Sequence, residues 1–125
     1  PISVAVDGET VFAGRGIVLV GNIHRYCLDL RILRDARDDD GLLDVCIFPC
    51  RWQGGLMVHS LFTALRRHVE RRSVIYCQGR HIRIDSTVPL PLEVDGDVAG
   101  TLPAEFTIDP GAVTFRVPPQ ANKCH

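Results

Sequence analysis

The chain has 125 residues, 46% of them hydrophobic, and a formal net charge of −1 at pH 7. This size and content suit one compact domain over residues 1–125 and leave no room for a second. The near-neutral charge predicts that neither nucleic acid nor another polyanion is a partner. No stretch approaches the roughly 18 apolar residues of a membrane span.

The cysteines do not predict a metal site. They are five in number, and their spacing contains neither a C-x-x-C pair nor a matching pair of histidines. An odd number of cysteines in a domain large enough to fold without disulfides favours free thiols. We therefore expect the protein in the reducing cytoplasm.

The first third of the sequence predicts β-structure. Apolar and polar residues alternate on both sides of Asp7-Gly8 between residues 2 and 13, as in a β-hairpin. Residues 16–20 are a continuous apolar run, typical of a strand buried on both faces. Asn22 follows, either as a turn residue or with its amide facing a cleft. Residues 26–32 alternate again and predict a strand with one solvated face.

The acidic segment, residues 35–41, precedes the next predicted strand, residues 42–48. An EF-hand calcium loop is excluded, because Ala36 and Ile47 stand where such a loop needs acidic ligands. Two interpretations stay open. The segment is either a solvated turn or a turn that holds a hard cation through a carboxylate and backbone carbonyls.

Residues 54–69 have helical periodicity, with apolar residues on one side and polar residues on the other. They predict one amphipathic helix. Its basic end at Arg66 and Arg67 complements the helix dipole, and contact with anionic lipid headgroups is the alternative.

The last third predicts strands again. Residues 73–77 and 80–84 read as a hairpin across Gln78-Gly79, and strands follow over residues 104–108 and 113–117. Many short strands separated by turn residues, together with one helix, predict a mainly β fold. We expect a two-layer antiparallel β-sandwich with one amphipathic helix.

The central feature of this last third is a hairpin over residues 89–100. Val94 and Val98 flank Asp95-Gly96-Asp97, and an Asp-Gly pair between apolar residues is a strong hairpin signal. The two carboxylates are either solvated turn residues or a rigidly presented acid pair that faces a partner bearing phosphate or metal.

Several catalytic motifs are missing from the sequence. It contains neither G-x-x-x-x-G-K-[ST] nor G-x-G-x-x-G, which cradle nucleotide phosphates, and no G-x-S-x-G, which presents a serine nucleophile. The histidines show no metal-ligand spacing.

The order of the motifs nevertheless closely resembles the C-terminal domain of the diacylglycerol-kinase superfamily, which includes bacterial lipid kinases, sphingosine kinases and ceramide kinases. The resemblance covers nearly the whole chain and implies a two-layer β-sandwich. The segments that carry it are residues 18–22, 40–45, 79–84, 89–97 and 109–118, with a tyrosine-containing strand after the first.

The resemblance implies a site in the cleft between this domain and an N-terminal nucleotide-binding domain. That domain carries a Gly-Gly-Asp-Gly-Thr signature, which is absent here, and Pro1 in place of an initiating Met leads us to expect a longer parent chain. The parent would phosphorylate a lipid hydroxyl with ATP, and peripheral contact with a membrane follows from such substrates. The chain alone would be inactive.

Individual residues are carried over by motif. Asp95 matches the proposed general base, and Asn22 lies in the first motif, where we expect contact with the cofactor. Asp97 stands where the family usually has a glutamate of the magnesium and water network. The turn at Asp40 resembles a loop that holds a structural Mg²⁺ in some bacterial members, with Arg37 and Leu42 offering carbonyls and Asp40 a carboxylate.

The sequence also departs from the family. Cys27-Leu28 and Leu33-Arg34 stand where the family commonly has glycines and a proline, which leaves the identity of the lipid acceptor open. Two rivals to an active kinase stay open as well. One is a non-catalytic β-sandwich that binds a lipid or a protein, and the other is a pseudokinase in which Asp97 marks decay of the acidic network.

Overall fold

The computed structural model describes residues 1–23, 33, 35–50, 74–114 and 116. These residues form nine strands and no helix. The helix expected over residues 54–69 and the strand expected over residues 26–32 lie outside the described residues. The strands are β1 (Ile2–Val6), β2 (Glu9–Gly14), β3 (Gly16–Gly21), β4 (Leu43–Pro49), β5 (Ile75–Gly79), β6 (His81–Ser86), β7 (Pro91–Val94), β8 (Asp97–Thr101) and β9 (Ala104–Thr107).

The strands form two packed sheets and a separate hairpin. One sheet has the order β2-β1-β6-β9, the second has the order β3-β4-β5, and β7 pairs only with β8 within the described residues. Every pairing is antiparallel. This arrangement confirms the prediction of a mainly β, antiparallel sandwich.

The main core lies between the two sheets. Val4 on β1 and Ile82 on β6 are fully buried and meet Ile47 on β4, which is also fully buried. Alternate residues of β1 and β6 face this core, as the two-residue period of a strand requires. Burying each such side chain contributes roughly 1.5–3 kcal/mol, so this layer is the main source of stability.

The three-stranded sheet has a second apolar face, directed away from the main core. Cys46 on β4 is buried there against Leu33 and Ala36, and Tyr76 of β5 packs beside them. Because side chains alternate along β4, Val45 and Ile47 face the main core while Asp44 and Cys46 face the opposite side. The strand β3, expected to be buried on both faces, is half-buried along its whole length.

The first hairpin forms as predicted. Asp7 and Gly8 join β1 to β2 with φ angles of 49° and 88°. Glycine adopts such angles without cost, and aspartate is among the few other residues that tolerate them. The turn therefore reverses the chain at the positions that the sequence indicates.

The predicted hairpin between β5 and β6 is wrong. β5 pairs with β4, whereas β6 pairs with β1 and β9, so the chain passes from one sheet to the other at Arg80. Gly79 does not adopt the positive φ that a tight hairpin turn uses. It is buried instead, and a Cβ at this position would collide with the Val6 side chain.

The crossing at Arg80 is fixed by Asp7, and we call this set of contacts the sheet junction. The Asp7 carboxylate accepts the backbone N–H groups of Arg80 and His81, both at 2.9 Å. The Asp7 N–H donates in return to the His81 carbonyl at 2.8 Å. These bonds align the start of β6 with the end of β1.

The strand expected over residues 113–117 is not present at Val113 and Thr114, which lie outside any strand. Val113 is 66% exposed and follows a turn in which the Ala112 N–H donates to the Asp109 carbonyl at 3.3 Å. A segment with strand periodicity forms a strand only when it can pair with a neighbouring strand. None of the described strands pairs with Val113 or Thr114.

We predict that the sheet junction makes stability depend on pH. The N–H groups of His81 and Arg80 hold the pKa of Asp7 below its ordinary 3.8. A lowered pKa gives a contribution that is present above the unfolded-state value and lost as pH falls through the folded-state value. Asp7→Asn should therefore have a lower thermal midpoint than wild type at pH 7, and the difference should shrink at about pH 3. A difference that is constant with pH would contradict the role of the carboxylate charge.

Candidate functional site

The predicted acid pair lies at the tip of the hairpin formed by β7 and β8. Asp95 and Gly96 are the two turn residues, with φ angles of 51° and 91°, and Val94 pairs with Asp97 directly below them. Positive φ at both central positions is the geometry of a type I′ turn, which matches the twist of the flanking strands. The backbone therefore presents Asp95 at an outermost point of the hairpin.

Both carboxylates of the tip are accessible. Every residue from 93 to 101 is exposed, including the apolar Val98 at 79%. Neither Asp95 nor Asp97 has a side-chain hydrogen bond or ion pair with another described residue. Their oxygens are available to accept a proton or a hydrogen bond from a ligand.

The base of this hairpin is fixed to the body of the domain. The Leu102 N–H donates to the Leu90 carbonyl at 2.8 Å, just below the paired strands. Leu90 and Leu102 are half-buried and pack against the main core. The hairpin is thus an exposed arm with an anchored base, and its acidic tip extends toward solvent.

The acidic segment folds as a tight turn before β4. Gly41 has a φ of 69°, and the Asp40 carboxylate accepts the Leu42 N–H at 2.9 Å. The guanidinium of Arg37 pairs with Asp39 at 3.0 Å. This pairing raises the pKa of Arg37 and lowers that of Asp39, through their hydrogen bond and their opposite charges.

The oxygen ligands that this turn offers to a hard cation are of the right kind but few in number. Mg²⁺ takes oxygen ligands and keeps several waters, so one carboxylate with backbone carbonyls is an acceptable set. Asp40 is the half-buried carboxylate beside the backbone of Leu42. Across the described ranges, no three acidic, histidine or cysteine side chains are grouped closely enough to hold a metal. A cation here would depend on Asp40 and on carbonyl oxygens.

Asn22 directly follows the last residue of β3 and is half-buried. Its neighbour Gly21 pairs with Asp44, so Asn22 lies at the end of the three-stranded sheet where β4 begins. Among the described residues, no hydrogen bond or ion pair joins Asn22 to Asp95 or Asp40. Asp95 and Asp97 share one hairpin tip, and Asp40 is bonded to Leu42.

A buried polar cluster was missed in the sequence. Asp44 is fully buried, and its Oδ1 accepts hydrogen bonds from the Tyr76 hydroxyl and from the Gln78 amide. The available signal was an aspartate inside the apolar run of residues 42–48. That position indicates a polar group turned toward one face of a buried strand, but the sequence does not show which donors lie opposite.

Similarity to known proteins covers almost the whole chain. The family model described as the YegS C-terminal NAD kinase beta sandwich-like domain matches residues 1–117. A crystal structure of a diacylglycerol kinase from Bacillus anthracis str. Sterne superposes with a TM-score of 0.70 over 89% of this chain and 38% of that chain. The sequence identity of that pair is 16%, so the likeness concerns the fold.

Two curated relatives are named diacylglycerol kinase. The protein from Staphylococcus carnosus is 31% identical over 107 residues, which covers 84% of this chain and 34% of the relative. A protein from Staphylococcus epidermidis is 29% identical over 100 residues, which covers 78% of this chain and 31% of the relative. The chain thus spans about a third of the length of these relatives.

We predict that Asp40 stabilises the turn through its hydrogen bond to Leu42. Asp40→Ala removes the acceptor and should lower the free energy of unfolding by about 1 kcal/mol, whereas Asp40→Asn keeps an acceptor oxygen and should retain most of it. Urea unfolding measures both, with the exposed Asp38→Ala as the control in the same turn. Equal losses in the alanine and asparagine variants would contradict this account.

Proposed function

The chain belongs to the YegS C-terminal family of NAD kinase β-sandwich-like domains, and from this premise we propose that it is the C-terminal domain of an ATP-dependent lipid kinase. The acceptor is a lipid hydroxyl of the diacylglycerol type. The relatives named diacylglycerol kinase support this substrate class. The matched segments cover 34% and 31% of these relatives, which leaves room for a separate nucleotide-binding domain.

Asp95 is the general base in this proposal. Its carboxylate takes the proton of the lipid hydroxyl while that oxygen attacks the γ-phosphorus of ATP, the bond to the β-phosphate oxygen breaks, and ADP leaves. A base must come within about 2.6–3.2 Å of the hydroxyl that it deprotonates. An accessible carboxylate on an anchored turn can do so once the substrate lies against the tip.

The single observation that carries the proposal is the geometry of the hairpin tip. Asp95 adopts a positive φ at a tight turn, without a side-chain partner among the described residues, on strands whose base packs on the core. The Asp7-Gly8 turn has similar φ angles, but its carboxylate accepts the N–H groups of Arg80 and His81 within the domain. The Asp95 carboxylate has no such partner among the described residues, which supports a role toward a group outside this domain.

The remaining parts of the reaction lie elsewhere. We propose that ATP is bound mainly by an N-terminal domain, with Asn22 contributing at the edge of the cleft. Asp97 holds water next to the reacting groups, at a position where the family usually has a longer glutamate. When bound, Mg²⁺ would neutralise phosphate charge and, at Asp40 and the carbonyls of Arg37 and Leu42, fix the acidic segment.

We place this reaction at the cytoplasmic surface of a membrane. Cys46, Cys50 and Cys77 are free thiols, which supports a reducing compartment. A lipid acceptor implies that the parent protein touches a membrane peripherally. The described part of the chain has no helix of the length and apolar character needed to cross a bilayer.

We predict that Asp95→Asn lowers turnover of the parent kinase by about 10²–10⁴-fold, because the amide cannot accept the hydroxyl proton. Glu93→Gln is the matched control, since Glu93 is an exposed acid on the same hairpin. The measurement is ATP-dependent phosphorylation of diacylglycerol in mixed micelles.

Three outcomes are separable. A large loss in the Asp95 variant with normal turnover in the Glu93 control supports the proposal. Equal turnover in wild type and the Asp95 variant would remove Asp95 from the mechanism. Absence of activity in the wild-type parent, with retained binding to lipid vesicles, would favour the non-catalytic or pseudokinase alternative.

A further inference from the structure

We propose that Tyr76 is a positioning residue for the acidic segment: its hydroxyl forms a hydrogen-bonded bridge from the buried Asp44 carboxylate to the backbone N–H of Asp35. The bridge connects the second apolar face of the three-stranded sheet to the start of the turn that ends at Asp40. Its consequence for Mg²⁺ rests on the proposed function, but the bridge itself is a property of the fold.

Asp44 is the fixed end of the bridge. It lies inside β4, is fully buried, and faces the apolar side chains around Cys46. Tyr76 and Gln78, both on the paired strand β5, donate to its Oδ1, Gln78 at 2.9 Å. Its Oδ2 has no partner among the described residues. A buried carboxylate needs its donors, so loss of either one is costly and the arrangement is strongly held.

Tyr76 uses its hydroxyl in two directions. The hydroxyl donates a hydrogen bond to the Asp44 carboxylate, and its oxygen accepts a hydrogen bond from the Asp35 N–H at 3.2 Å. Burial and the bond to Asp44 raise the pKa of Tyr76, so the hydroxyl stays protonated at neutral pH. Phenylalanine in its place would keep the ring and its packing but could make neither bond.

The bridge acts on a short piece of chain. Beside Asp35, Ala36 is buried against the sheet and its N–H donates to the Leu33 carbonyl at 3.2 Å. At the far end, Asp40 accepts the Leu42 N–H directly before β4 begins. The segment is thus held at both ends, and Tyr76 contributes a bond between its first residue and the sheet.

This arrangement predicts how the turn is preorganised. Backbone carbonyls bind a hard cation more tightly when the turn already holds them in the binding conformation. Less of the binding energy is then spent on ordering the chain. Loss of the bridge should loosen residues 35–41 and weaken their response to Mg²⁺ without unfolding the sandwich, since the main core lies on the other face of the sheet.

The first test is amide hydrogen exchange of the parent protein without Mg²⁺, followed by mass spectrometry of peptides that cover residues 33–42. Tyr76→Phe should speed exchange of this segment about fivefold, which corresponds to the loss of one net hydrogen bond. Gln78→Ala is the matched control, because it removes the other donor to Asp44 and leaves the bond to Asp35 in place. Equal exchange in wild type and the Tyr76 variant, or equal acceleration in both variants, would overturn the bridge.

The second test is the rise of the thermal midpoint with Mg²⁺ concentration. Tyr76→Phe should need about fivefold more Mg²⁺ to reach the same rise of the thermal midpoint, whereas Gln78→Ala should need the wild-type concentration. An unchanged Mg²⁺ requirement in the Tyr76 variant would overturn its positioning role. If wild type itself shows no Mg²⁺ shift, the cation part of the proposed function fails, while the exchange measurement still decides on the bridge.

Discussion

The sheet junction at Asp7 determines how the two layers of this domain are connected. One carboxylate accepts the N–H groups of Arg80 and His81, and Gly79 passes close to Val6 because it has no side chain. The chain can therefore leave the three-stranded sheet and enter the four-stranded sheet within a single residue. Once β6 is aligned with β1, the buried residues of both strands face β4, and the main core follows from that alignment.

The same junction bears on the candidate site, because β6 leads directly into the hairpin that carries Asp95. A defined position for β6 and the packed pair Leu90 and Leu102 fix the base of the hairpin, while its tip stays exposed. Rigidity at the base and accessibility at the tip are what a catalytic carboxylate needs when its substrate is held by another domain.

Local signals were predictable from the sequence, and long-range pairings were not. The turns at Asp7-Gly8 and Asp95-Gly96 follow from the backbone freedom of Asp-Gly pairs, and the strands around them follow from alternation. The alternation in residues 80–84 gave the strand β6 correctly but could not say whether its partner was β5 or β1, since both choices bury Ile82 and Ile84. The polar contacts of Asp44 with Tyr76 and Gln78 likewise depend on strand register, which no local pattern specifies. The predicted roles of Asp95, Asp97, Asn22 and Asp40 came from resemblance and stay predictions.

The central claim is that the hairpin tip faces the reacting groups of a kinase active site. A crystal structure of the parent protein with a lipid acceptor and a non-hydrolysable ATP analogue tests this most directly. The account predicts the Asp95 carboxylate within about 3 Å of the acceptor hydroxyl, on the side opposite the γ-phosphate. A structure in which the tip points into solvent, with the acceptor hydroxyl next to a different residue, would contradict it.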